Sequence, residues 1–154
     1  RGMAGFEALL GALAENRCHV LFTHPNADAG SDQLLARLQD FVQQHPQTCW
    51  TLASLGQSRY IAALQLFEAM AGNSSSGVIE APLMGMPVLN IGSRQAGRLR
   101  SSSVCDVKAD DLAAVSKGLK AVLKAGERAT WPRPRPKPDS APSTVILRWL
   151  LSSR

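Results

Sequence analysis

No stretch of this 154-residue chain approaches the roughly 18 consecutive apolar residues of a membrane-spanning helix. The opening "RGMAGFEALLGALAEN" is interrupted by Glu7 and Glu15, so it reads as an amphipathic helix rather than a secretion signal. Arg1 is not a natural first residue, and the chain reads as a fragment or a processed form. Cysteine is scarce and odd in number: Cys18, Cys49 and Cys105 have no CxxC or Cys/His ligand spacing, which argues against a disulfide framework and against zinc. Cys18 and Cys49 open expected strands, where a buried thiol serves as a small apolar group, and the reducing cytoplasm is the expected compartment. Neither a GxGxxG fingerprint nor a Walker A loop is present. No metal or redox cofactor is expected.

Acidic residues thin out toward the C-terminus. From Lys117 onward, nine Lys or Arg face only Glu127 and Asp139, within a net charge of +5. The single Tyr and four Phe do not interleave with that cluster, so the stacking platform of a nucleic-acid binder is missing. A solvated basic surface is the preferred reading; nucleic-acid binding through Arg133, Arg135 and Lys137 is the rival.

What remains, with 45% hydrophobic residues, is enough for one core. Phe6, Leu9, Leu10 and Leu13 recur at helical spacing over residues 5–15. "CHVLFTH" is a short buried strand, followed by turn chemistry in "PNADAGSD". Leu34, Leu35, Leu38, Phe41 and Val42 make a second helix face that ends near His45 and Pro46. "CWTLAS" is a strand, and "LGQSRYIAALQLF" a turn and a helix with Tyr60, Ile61, Leu64 and Phe67 at suitable spacing. "EAMAG" and "PVLNIG" are further strands, separated by a short helix in "VIEAPLMG" that Gly85 can close; "SVCDV" is a final small strand. Asp110 or Asp111 can cap a long helix carrying Leu112, Val115, Leu119, Val122 and Leu123, with Gly126 as its stop signal.

Residues 128–142 are a proline-dense linker, and residues 143–154, "STVILRWLLSS" within them, are expected to form a terminal helix. Its apolar residues Val145, Ile146, Trp149 and Leu150 would pack back on the domain or on a partner, including a second copy. The domain proper is expected over residues 1–127. Strands alternating with helices predict an α/β fold, a Rossmann-like parallel sheet flanked by helices. In such sheets the binding edge lies at the carboxyl ends of the strands. "THPNADAG", "SLGQ", "GNSSSG" and "IGSRQAGR" all fall there.

The segment "GNSSSGVIEAP", residues 72–82, is the most informative. Small residues let a phosphate approach the backbone, hydroxyls donate hydrogen bonds, and a helix opening at the loop points N–H groups outward. An ordinary serine-rich turn with a helix cap is the other reading. Glu80 stands one helical turn on, where a carboxylate can accept both hydroxyls of a ribose; a solvated surface Glu is its alternative. Arg94, with Arg98 and Arg100 nearby, offers a fork suited to a diphosphate.

These residues in combination are familiar. "GNSSSGVIEAPLMGMPVLNIGSRQAGR", with "FTHPNADAG" and "SLGQSRY" upstream, resembles the C-terminal half of the UDP-N-acetylglucosamine 2-epimerases, particularly the hydrolysing type, over about residues 5–125. The resemblance implies a glycosyltransferase-B-like enzyme of two Rossmann-like domains, of which this chain would be the C-terminal one. By that analogy Ser74 and Ser75 bind the UDP phosphates, Glu80 the ribose, Arg94 the diphosphate, backbone at Leu55 the uracil edge, and Asn26 lines the cleft. The family's reaction removes the C2 proton and eliminates UDP to a glucal, to which hydrolysing members add water, releasing N-acetylmannosamine. Its acids and bases lie chiefly in an N-terminal domain, so this chain alone is expected to be inactive. The C-terminal domain's own first strand, usually bearing a His-Pro motif, is also expected to be missing. His24 is the one histidine at a strand's carboxyl end and the only candidate catalytic residue here; His19 and His45 have weaker claims. A non-hydrolysing epimerase, one acting on a diacetamido sugar nucleotide, and a stand-alone nucleotide-binding module are the alternatives.

Overall fold

The structure is a computed structural model that describes residues 2–25, 31–128 and 144–148. Six strands form one sheet: β1 (His19–Thr23), β2 (Cys49–Leu52), β3 (Ala69–Gly72), β4 (Val88–Ile91), β5 (Val104–Val107) and β6 (Thr144–Arg148). Their spatial order is β2-β1-β6-β3-β4-β5, and every pairing is parallel. Between them in the chain lie α1 (Gly2–Glu15), α2 (Ser31–Gln44), α3 (Gly56–Leu66), α4 (Ser75–Val78), α5 (Glu80–Leu83) and α6 (Leu112–Arg128). This is the expected Rossmann-like α/β arrangement.

The helices divide between the two faces of the sheet. One face is covered by α1, α2 and α6, through Phe6, Leu9, Leu13, Leu34, Leu38, Phe41, Val115 and Leu119, all packed on inward residues of the strands. The other carries α3, α4 and α5 around Tyr60, Leu64, Met70, Ala81 and Val88. The split follows from period-2 alternation: Ala69 and Ala71 face the first cluster while Met70 between them faces the second. Crossovers from β1 to β2 and from β5 to β6 run toward the β2 edge through α2 and α6 on the first face. Those from β2 to β3 and from β3 to β4 run the opposite way on the second. One handedness therefore governs all four, as parallel crossovers require.

Local chemistry accounts for the element ends. Asp111 Oδ1 accepts from Ala114 N at 2.8 Å and caps α6, one of the two aspartates expected there. Gly126 does not end that helix, which runs on to Arg128. Its lack of a Cβ serves packing instead, because a Cβ there would overlap the Glu68 carbonyl at the start of β3. The expected short helix "VIEAPLMG" is only the single turn α5; a separate turn, α4, already opens at Ser75 inside the expected serine loop, Ile79 divides the two, and Gly85 follows with φ +73°. In α3 the buried stripe is Tyr60, Ala63 and Leu64, whereas Ile61 is exposed.

The largest departure concerns the C-terminus. Residues 144–148 are not the start of a terminal helix but strand β6, paired with β1 on one side and β3 on the other. Val145 is fully buried in the main core rather than waiting for an external surface. A short apolar run carries no decisive period, and Val and Ile are β-branched. Two waiting strand edges offer its backbone more hydrogen bonds than an isolated helix could. Trp149 and Leu150 lie outside the described residues, as does most of the proline-dense segment.

Candidate functional site

Because all six strands are parallel, their carboxyl ends share one edge. Read along it, the chain presents the segment after Leu52, the segment after Thr23, the end of β6, the serine loop after Gly72, and the loop after Ile91. Leu55, His24, Ser74 with Ser75, and Arg94 therefore stand in that order across a span of four inter-strand spacings, about 19 Å. Asn26 lies outside the described residues.

The serine loop is built tightly. Gly72 has φ +143°, a backbone that other residues rarely adopt, and turns the chain out of β3. Ser74 is the N-cap of α4: its Oγ accepts from Ser76 N at 3.4 Å and lies 2.9 Å from Ser76 Oγ. Both side chains are buried, and Ser75 between them is half-buried. Gly77 lets α4 rest on the sheet, since a Cβ there would stand 3.3 Å from Val88 Cγ1. The expectation of a helix dipole aimed at an anion is weakened by the length of α4, a single turn. The Ser76 and Gly77 N–H groups are engaged within the loop, by Ser74 Oγ and the Ser74 carbonyl, which leaves Ser75 as its half-buried serine.

Behind the loop lies a brace that sequence reasoning did not assign. Gln95, buried, donates from Nε2 to the Asn73 carbonyl at 2.9 Å. Arg100 donates to the Gln95 carbonyl at 2.6 Å, to the Arg98 carbonyl at 2.8 Å and to Asp106 Oδ2 at 2.9 Å. Asn90 completes the set with a 2.5 Å hydrogen bond to Asp106 Oδ1. Arg100 thus ties β4, β5 and the loop between them to the serine loop, and its guanidinium is already engaged. Gln95 Oε1 is buried with no hydrogen-bond partner. Gln95 stood in the quoted Arg-Gln-x-Gly-Arg run, but its burial against Asn73 had no one-dimensional signal.

Glu80 opens α5 and is exposed, one turn of chain beyond the serine loop. Leu55 is the N-cap of α3 without a side-chain cap hydrogen bond and is half-buried against the second cluster. Gly56 follows with φ +65° and donates its N–H to Ser54 Oγ at 3.2 Å. His24 is half-buried, and its backbone N–H donates to Leu52 O at 3.0 Å, joining the ends of β1 and β2. Arg94 is half-buried in the loop after β4. In register, Arg148 pairs with both Thr23 and Gly72, so the end of β6 reaches the middle of this edge.

A cavity of about 220 Å³ lies elsewhere, at the amino ends of β1 and β2 beneath α1 and α2, lined by Leu13, Cys18, Phe41, His45 and Cys49 among others. Its lining is mainly apolar, and burial pushes the Cys49 thiol up from its ordinary 9.0, partly offset by the Thr48 hydroxyl. Such a thiol stays protonated and packs as an apolar group. Among the described residues no group of three or more His, Cys, Asp or Glu side chains could hold a metal ion. No helix among them is long and apolar enough to cross a membrane.

A parallel α/β sheet flanked by helices, with a serine-rich loop and a basic loop on its carboxyl edge, defines a Rossmann-like protein. The family described as UDP-N-acetylglucosamine 2-epimerase matches residues 1–140, and the chain belongs to it. The chain is 37% identical over 93 residues to a Campylobacter jejuni protein named GDP/UDP-N,N′-diacetylbacillosamine 2-epimerase (hydrolyzing), covering 60% of this chain and 24% of that protein. It is 35% identical over 111 residues to the Escherichia coli polysialic acid biosynthesis protein P7, covering 71% and 28%. To the Legionella pneumophila UDP-N,N′-diacetylbacillosamine 2-epimerase (hydrolyzing) it is 33% identical over 102 residues, covering 66% and 26%. The chain thus spans about a quarter of the length of these curated relatives.

Proposed function

We propose that this chain is the UDP-binding, C-terminal portion of a hydrolysing sugar-nucleotide 2-epimerase, of the kind that converts UDP-N-acetylglucosamine and water to N-acetylmannosamine and UDP. The observation that carries the reading is the convergence on one sheet edge of Leu55, the serine loop and Arg94, in an order that suits a nucleoside diphosphate lying across the strands. Uracil would meet the backbone at Leu55 and the phosphates the Ser74–Ser75 loop and Arg94. Glu80 would accept from the ribose hydroxyls, and Asn26 would line the cleft. His24 stands on the same edge and is the one candidate here for a proton-handling role.

In this reaction the C2 proton leaves to a base, the C1–O bond breaks, and the electron pair departs with UDP. The loop's N–H groups and the Arg94 charge would stabilise the leaving phosphate as that charge develops, which lowers the barrier more than it tightens ground-state binding. The braced loop suits the task, because donors held in place by Gln95 and Arg100 need not reorganise. The remaining acid–base groups would come from another domain, so the isolated chain binds UDP without turning over a sugar nucleotide. The setting would be cytoplasmic synthesis of sialic-acid-type sugars. A diacetamido sugar as substrate is the second reading, favoured by the names of the Campylobacter and Legionella relatives.

Calorimetric titration of UDP, UMP and ADP into the chain and its Glu80→Ala variant tests the proposal. Binding should prefer UDP over both controls, and Glu80→Ala should weaken it by roughly ten- to a hundredfold, the loss of hydrogen bonds to a charged acceptor. Equal affinity in the two proteins would remove Glu80 from the ribose. UMP binding as well as UDP would remove the diphosphate from the serine loop.

A further inference from the structure

Two of the groups proposed for a diphosphate stand on neighbouring loops. The serine loop follows Gly72 at the end of β3, and Arg94 follows Ile91 at the end of β4, with Gly72 and Asn90 partners in register. The loops are thus one inter-strand spacing apart, about 4.8 Å at the strand ends. Nothing in a parallel sheet fixes two loops relative to each other once the strands have ended. Here one side chain does.

Ala96 N–H donates to the Ser93 carbonyl at 2.9 Å, so residues 93–96 form a β-turn with Arg94 and Gln95 as its central pair. That turn is held at Gln95 from both sides. The Gln95 side chain donates at 2.9 Å to the carbonyl of Asn73, the residue before the N-cap Ser74. The Gln95 carbonyl accepts from Arg100 at 2.6 Å, and Arg100 is in turn fixed on Asp106 in β5. Arg94 is therefore carried by a turn whose next residue is bonded to the start of the serine loop. The bond comes with a penalty: Gln95 is only 3% exposed, and its Oε1 is buried with no hydrogen-bond partner. A methionine would fill the same space without stranding an oxygen, so stability alone does not account for a glutamine here. The bond to Asn73 does.

The geometry points to Gln95 as a positioning residue that sets the spacing between Arg94 and the serine loop, and so makes the site selective for a nucleoside diphosphate over a monophosphate. The inference rests on the reading of this edge as a UDP site. Two phosphates need two binding groups at a fixed separation, whereas one phosphate is served by either group alone. Groups already held at that separation lose little freedom on binding, while a loose pair must be ordered by the ligand itself. A brace that served only the fold would act on both nucleotides alike.

The test is calorimetric titration of UDP and UMP into the chain and into its Gln95→Met and Arg100→Lys variants, with thermal melts of all three proteins. Gln95→Met deletes the bond to Asn73 without a change of charge. Arg100→Lys keeps the charge and loses the fork that grips the Gln95 carbonyl. Gln95→Met should leave the melting temperature within about 4 °C, because the lost bond and the removed orphan offset each other. Its UDP affinity should fall about tenfold and its UMP affinity by no more than about twofold, so that the preference for UDP collapses. Arg100→Lys, at a side chain that reaches solvent, should shift the preference the same way by about threefold, and it carries the test if Gln95→Met does not fold. Equal losses for UDP and UMP, or a lower melting temperature with the UDP preference intact, would reduce Gln95 to a structural brace and overturn the inference while leaving the UDP site in place. An unaltered chain that binds neither nucleotide, or both equally, would overturn the proposed function and this inference with it.

Discussion

The two faces of the sheet are built unequally. Among the described residues, the α1–α2–α6 face holds twenty-two buried residues in one cluster, and its large side chains, Phe6, Leu9, Leu34 and Leu119 among them, are essentially inaccessible. The α3–α4–α5 face holds seven, and leaves Ile61, Leu66, Ile79 and Leu83 substantially exposed. The reason lies in element length: α1, α2 and α6 run for fourteen residues or more, whereas α4 and α5 are single turns that cannot cover a strand. The thin face carries the serine loop and Glu80. The proposed site would thus sit on the thin face, away from the larger cluster.

The comparison predicts unequal responses to the same insult. Phe6→Ala on the deep face should destabilise by about 3–5 kcal/mol in a denaturant titration, because a ring with no exposure leaves a cavity that three helices cannot close. Leu64→Ala on the thin face should fall nearer 2–3 kcal/mol, since its looser surroundings can collapse. Equal losses would show that the thin face is as tightly packed as the deep one. Gly126→Ala comes next: the new methyl overlaps the Glu68 carbonyl, backbone that cannot swing aside, and a loss of about 1–3 kcal/mol should follow.

Smaller effects sharpen the same contrast. Glu80→Ala, so consequential for UDP in the proposed site, should change thermal stability by no more than about 0.5 kcal/mol, because the residue is exposed. On the deep face, Cys49 has a folded-state pKa raised by burial above its unfolded 9.0, with the Thr48 hydroxyl opposing. Folding therefore favours the neutral thiol. Its contribution is complete below pH 9 and declines as the pH rises from there through the folded-state value, while the unfolded thiol ionises. A Cys49→Ala variant should lose stability less steeply over that alkaline window, measured as the slope of unfolding free energy against pH.

Much of the edge was legible in one dimension because the same signals mark both strand ends and sites. "GNSSSG" and "SRQAGR" stood out as polar breaks after apolar runs, and a parallel sheet automatically gathers such breaks on one edge. The brace behind the serine loop was not legible. Gln95 meets Asn73 across twenty-two residues and Arg100 meets Asp106 across a turn, contacts that depend on β3, β4 and β5 lying side by side. Arg100, expected only as a neighbour of the Arg94 fork, is engaged in holding that loop. Gly126 looked like a helix stop and is a packing notch.

The sequence by itself determined the alternation of strands and helices, the face each long helix buries, and the polar segments that end each strand, because these rest on local periodicity and turn chemistry. Only the tertiary structure decided what residues 144–148 are. "TVILR" carries no period strong enough to choose between helix and strand. Its choice comes from two unpaired edges, β1 and β3, whose backbone groups must be satisfied and whose apolar residues close over Val145. A central strand is specified by its neighbours, and those neighbours lie more than seventy residues away in the chain.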